Sequence, residues 1–247
     1  MTALLRYQAA ILARSHRWIL PLIVYGLLVA VGGEGSTPLA EGLDWSAAML
    51  VPVTALLTRS VLTAEPDAAR AVVAAAAGPG RAQLAALAAA LCGGAVLGLA
   101  GAAFEVVASK SVATGAAAGG GELGGGELGK LTAAAAHPGV LAAGLAIAVV
   151  CVLVGSAAGA LCNPPLLRHP GVSLLSTLAV VVLALVSGVS PAAAALKDTG
   201  PEANQAALSL PHWPGVVPFV TAAALLAVTW TASMLVAARR DRHPSPT

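Results

Sequence analysis

Charge is what this sequence has least of. Asp, Glu, Lys and Arg make up 10% of its 247 residues, against 58% hydrophobic residues. A soluble domain carries roughly a quarter charged residues, so a water-soluble enzyme or nucleic-acid-binding domain is excluded. A multi-pass membrane protein is expected, with the lipid bilayer as its surroundings and no nucleic-acid partner. Aromatic residues are also scarce, at 3%. The four tryptophans, Trp18, Trp45, Trp213 and Trp230, sit at or near the ends of apolar runs, where indole favours the headgroup region. The three cysteines, Cys92, Cys151 and Cys162, fall in apolar runs without metal-ligand spacing, which reads as free thiols acting as small hydrophobes. The five histidines are scattered over separate connecting segments. The N-terminal region has no short apolar core followed by a small-residue cleavage site, so the first span is expected to be retained as an anchor.

A spanning helix needs about 20 mostly apolar residues. Six runs approach that length, at about 18–33, 45–62, 83–104, 138–161, 172–190 and 214–238. The second, which contains Pro52, is apolar only over Trp45–Leu57 and reaches spanning length only by continuing past Arg59. Basic residues flanking spans mark the cytoplasmic side. With both termini cytoplasmic, all ten arginines fall inside and all three lysines outside, giving +7 inside and −5 outside. Inside the six runs no Asp, Glu, Lys, Arg or His occurs except at the margins, and Glu34, Glu41, Asp44 and Glu105 are placed outside. An ionisable group in hydrocarbon costs at least about 2.5 kcal/mol and is normally kept for an ion or substrate pathway. Its absence argues against an ion-coupled antiporter, and also against an intramembrane protease or metalloenzyme, which needs converging reactive pairs.

Before the first span, residues 2–16 place Leu4, Leu5, Ile11 and Leu12 on one stripe with Arg6 and Arg14 polar, an interfacial-helix pattern. The external segment 109–137 holds a tandem GGGEL duplication, too glycine-rich for a core. Gly124, Gly129 and Lys130 there match the nucleotide-binding pattern G-x-x-x-x-G-K. Leu131 replaces its Ser or Thr and no strand precedes it, so the match reads as linker. Gly93, Gly94, Gly98, Gly155 and Gly159 form small-xxx-small patterns, read as helix packing.

The segment from Arg59 to Arg81 is the longest charged, helix-compatible stretch between two apolar runs. Glu65 and Asp67 suit a helix N-terminus, Pro66 its first turn, and Gly78, Pro79 and Gly80 end it. Between them DAARAVVAAAA is too short and too polar to span. A connector needs only a few residues; a helix punctuated this way reads as a docking surface, with Arg81 opening the next span.

This layout resembles the membrane subunit of bacterial ABC-2 type ABC transporters. The family pattern is an interfacial helix, two spans, a cytoplasmic coupling helix, three spans, an external re-entrant segment and a sixth span. Here these correspond to Leu4–Arg14, spans one and two, Glu65–Ala77, spans three to five, Pro191–Trp213 and the last span. The Gly-rich external insertion is longer than the family pattern, and the second span shorter. The resemblance implies an all-α, six-span exporter subunit of the cytoplasmic membrane, one domain over residues 1–247. It also implies no catalytic, cofactor or metal residues in this chain, because a separate cytoplasmic ATPase binds ATP and Mg²⁺. A second permease chain, identical or related, completes the complex. Glu65, Asp67, Arg70, Gly78 and Arg81 are the residues the resemblance places at the ATPase contact. A non-transport membrane assembly protein and a stand-alone secondary transporter remain the alternatives.

Overall fold

The computed structural model describes residues 2–32, 39–108, 138–162, 170–186, 190–197 and 216–242. The described residues are all-helical. In chain order the elements are α1 (Thr2–Ser15), α2 (Ile19–Gly32), α3 (Leu39–Ala64), α4 (Asp67–Ala77) and α5 (Pro79–Ala108). They continue with α6 (Pro138–Leu161), α7 (Pro170–Val186), α8 (Pro191–Lys197) and α9 (Val216–Arg242). The glycine-rich segment 109–137, and the re-entrant segment beyond Lys197, lie outside the described residues.

Five stretches are long and apolar enough to cross a bilayer: α3, α5, Gly139–Leu161, Ser173–Ala194 and Val216–Val236. α2 alone has 14 residues, about 21 Å at 1.5 Å per residue, against a hydrocarbon core of about 30 Å. It passes the same test only together with α1, and the two meet at 75°. His16 makes that bend with φ 54°, a left-handed conformation that histidine tolerates better than most side chains. The outward faces are as apolar as the interior: on α2, Leu20, Ile23, Leu27 and Val31 are exposed opposite buried Tyr25 and Val29. A helix apolar all round suits lipid on one side and protein on the other.

Besides the first, two further spans differ from the sequence reading. The second is not short: α3 starts at Leu39 and runs unbroken for 26 residues through Pro52. Its first turns include Glu41 and Asp44, which the sequence reading assigned to a loop. Leu39 and Leu43 are buried against Ala102, Val106, Val140 and Leu141, and that inward stripe outweighs the charges. The third span likewise runs from Pro79 to Ala108 and so takes in Glu105.

α3 is the central helix, packed against α2, α5, α6 and α7. Its closest neighbour is α6, where Gly155 and Gly159 lie against the α3 backbone. A Cβ on Gly155 would sit 2.5 Å from the Val51 carbonyl oxygen, and one on Gly159 2.7 Å from that of Ala55. A Cβ on Gly94 of α5 would stand 2.9 Å from both Thr54 of α3 and Val152 of α6. These glycines therefore serve packing within one chain. Around them Leu50, Val51, Val53, Ile147, Val150 and Cys151 are buried and form the main core cluster.

Candidate functional site

The end of the bundle where α3 stops and α5 begins collects Arg17, Arg59, Arg70 and Arg81. α3 ends at Ala64 because Pro66 disfavours a helical residue before it. Pro66 is extended (φ −60°, ψ 146°) and takes the N-cap position of α4 without a side-chain cap bond. Twelve residues later Gly78 stops α4 with φ 88°, its N–H donating to the Ala74 carbonyl at 2.9 Å. Only glycine adopts that angle freely, and Pro79 then opens α5 at the position where its missing N–H is harmless.

Hydrogen bonds donated by four side chains fix this corner. Arg70 donates from its guanidinium to the Leu62 carbonyl, one of the α3 C-terminal carbonyls that no helical N–H reaches. Arg17 donates to the Thr63 carbonyl at 2.6 Å. Glu65, 8% exposed, accepts from the Tyr7 hydroxyl at 3.1 Å and the Gln8 amide at 3.3 Å. Gln8 is the one buried residue of α1, and Leu12 one turn on packs against Val61, Leu62, Ala86 and Leu87. Burial first, then the hydrogen bond to Glu65 and its charge, push the Tyr7 phenol above its usual value, so it remains a donor. α1 is thus clasped to the α3–α4 corner.

The five residues singled out in the sequence divide by role. Glu65 is turned inward and positions α1. Arg70 is half-buried and ties α4 to α3, and Gly78 shapes the turn. Arg81 is exposed in the first turn of α5, where a cation opposes the helix dipole, so it is not there for helix stability. The Asp67 side chain lies outside the described residues. The outward surface of α4 is instead apolar: Ala68, Val72 and Ala75 are exposed at helical spacing, and Val72 is 68% exposed. Tyr7, Gln8 and Val72 were not anticipated. Tyr7 and Gln8 are 58 and 57 residues from Glu65, a separation without local signal, whereas Val72 was readable from its helical spacing, four residues after Ala68 and three before Ala75.

At the opposite end of α5, Glu105 corrects the expectation that no acid lies within a span. It is 2% exposed, and its Oε1 has no hydrogen-bond partner among the described residues. Gly42 of α3 makes room for it: a Cβ there would stand 2.5 Å from Oε2. Tyr25 lies beside it against Gly101, its hydroxyl donating to the Ser46 carbonyl at 3.4 Å.

Elsewhere in the spans, hydroxyls are spent locally. Thr54, Thr58, Ser156, Thr177 and Thr229 each donate to a carbonyl three or four residues back. Among the described residues no group of three His, Cys, Asp or Glu is placed to hold a metal, and Cys92, Cys151 and Cys162 are free thiols. No protein-family model, curated protein or solved structure matches this chain.

Proposed function

We propose that this chain is the membrane-spanning subunit of an ATP-driven exporter of the ABC-2 type, with α4 as the surface on which a separate cytoplasmic ATPase docks. The observation that carries the reading is α4 itself. It is a short helix held at both ends by Pro66 and Gly78, tied to α3 through Arg70, and it turns Ala68, Val72 and Ala75 away from its own chain. An exposed apolar stripe on a fixed helix suits a protein partner, and Arg81 at its edge supplies a charge for orientation.

In this reading the ATPase binds ATP and Mg²⁺ and this chain performs no chemistry. Movement of α4 passes through the Arg70–Leu62 contact to α3 and through Glu65 to α1 and α2. Because α3 is packed against most of the bundle, a displacement at its end shifts the helices as a body between two global states. A second permease chain, the same or related, forms the other half of the pathway. Outward movement of an amphiphilic substrate fits the apolar lining of the helices.

The test is purification of the full chain from its membrane in mild detergent, with mass spectrometry of co-purifying proteins. A co-purifying ATPase, lost when Glu65–Ala77 is exchanged for a flexible linker, supports the reading; a chain that emerges alone in several detergents removes it.

One observation favours a second reading. Glu105 is a buried carboxyl with one oxygen, Oε1, unpartnered among the described residues, the kind of group that ion-coupled transporters use, so a stand-alone secondary transporter is the alternative. It requires transport driven by a proton or sodium gradient without ATP, abolished by Glu105→Gln.

A further inference from the structure

Below α1, between α2, α3 and α5, lies an apolar cleft of about 580 Å³, within the ~300–1,000 Å³ of small-molecule sites. Its walls are Leu5, Ala9 and Leu12 of α1, Leu22 of α2 and Leu57 of α3, with Cys92, Gly93, Val96 and Leu97 along α5. Trp18 lines it at the bend between α1 and α2. One lining residue is charged: Arg6. Arg6 is exposed and makes no ion pair among the described residues.

The arrangement has a direction. The α5 wall from Ala89 to Leu97 extends about 12 Å along its axis at 1.5 Å per residue. It therefore runs from the level of α1 well into the apolar length of the bundle. Its shallow end carries a guanidinium and an indole; its deep end is formed by Val96 and Leu97. A cation above an apolar slot fits a molecule with an anionic head and a hydrocarbon tail. Guanidinium groups bind phosphate by paired N–H donors, and juxtamembrane arginines attract anionic lipids. A purely apolar occupant would leave Arg6 without a counter-charge, and a soluble anion would leave the slot unfilled.

We infer that the cleft between α1, α2 and α5 binds an anionic phospholipid of the adjacent leaflet, with one acyl chain against Cys92–Leu97 and the phosphate at Arg6. The inference needs only that the chain is embedded in a bilayer. It stands independently of an ATPase partner and of the direction of transport. Occupation of the slot would brace α1 through Leu5, Ala9 and Leu12, the same helix that Tyr7 and Gln8 tie to Glu65.

The test uses Trp18 as a reporter in the full chain, with Trp45, Trp213 and Trp230 changed to Phe. The protein is reconstituted into phosphatidylcholine vesicles containing a minor fraction of brominated phosphatidylglycerol or, in parallel, brominated phosphatidylcholine. Quenching of Trp18 is expected to report about fivefold stronger association of phosphatidylglycerol, the preference that one arginine near the surface confers. Arg6→Gln is expected to remove the preference and Arg6→Lys to retain most of it. Ala9→Phe, which keeps every charge but narrows the cleft, is also expected to remove it. Equal quenching by the two lipids overturns the inference. A preference that survives either Arg6→Gln or Ala9→Phe overturns it too, since that result reflects general attraction to the basic surface of α1.

Discussion

Replacing Gly155 by alanine strikes the crossing where α6 lies against the backbone of α3. The new methyl would lie 2.0 Å from Thr54 Oγ1 and 2.5 Å from the Val51 carbonyl oxygen. The hydroxyl is held by the Leu50 carbonyl at 2.6 Å, and the Val51 oxygen belongs to the backbone, so neither can simply turn aside. α3 and α6 must separate by about 0.5 Å or more, a gap that forfeits roughly a quarter of the dispersion well for each facing pair. Overpacking of this kind costs ~1–3 kcal/mol. The gain from removing a helical glycine, up to about 1 kcal/mol, offsets part of it, leaving a net loss of ~1–2 kcal/mol. Gly98→Ala is the control: its Cβ would meet Leu50 Cδ1 at 3.2 Å, a side-chain end that can yield, so this variant should equal or slightly exceed the parent. Reversible unfolding in mixed dodecyl maltoside and SDS micelles, followed by circular dichroism, measures both. A Gly155→Ala protein as stable as the parent, or a Gly98→Ala loss of the same size, would refute the close-packed crossing.

Three further outcomes are expected. Glu65→Ala strands the buried Gln8 amide and the Tyr7 hydroxyl, at a cost of ~1–3 kcal/mol; trypsin should then cleave after Arg14 or Arg17 faster than in the parent, and an unchanged rate would show that the clasp does not hold α1. His16→Val should lose ~1–2 kcal/mol in thermal unfolding, because a β-branched residue resists the left-handed bend, whereas His16→Gly stays close to the parent; equal losses would point away from the backbone angle. Cysteines at Gly121 and Asp198 should react with an impermeant thiol reagent in intact cells of a Cys-free background, while one at Arg70 should not; the reverse pattern would invert the orientation read from the arginines.

What the sequence made legible were features whose physical cause is local. Pro66, Gly78 and Pro79 bracket α4 because each restricts its own backbone, and Asp67–Ala77 emerges as the helix they imply. Five of the six apolar runs emerge as stretches long enough to cross a bilayer, whereas the first reaches that length only together with α1, across a 75° bend at His16. The start of α3 was missed because Glu41 and Asp44 made Leu39–Asp44 look like loop, although Leu39 and Leu43 are one turn apart and face inward. Glu105 was hidden for a related reason: at a span margin an acid usually reaches water, whereas here the missing side chain of Gly42 leaves room for it inside the bundle. The Glu65 clasp rests on contacts to residues 57 and 58 positions away. They give Glu65, which the family resemblance placed at the partner contact, a role in positioning α1.

The central claim is that the outward face of α4 meets a cytoplasmic ATPase. A photo-activatable benzophenone amino acid placed at Val72, with Val73 and lipid-facing Leu20 as comparison positions, tests it in living cells. The account predicts a covalent adduct to an ABC ATPase from Val72, identified by mass spectrometry, with little from Val73 and lipid adducts from Leu20. Lipid adducts alone at Val72 would place α4 against the bilayer and contradict the docking role.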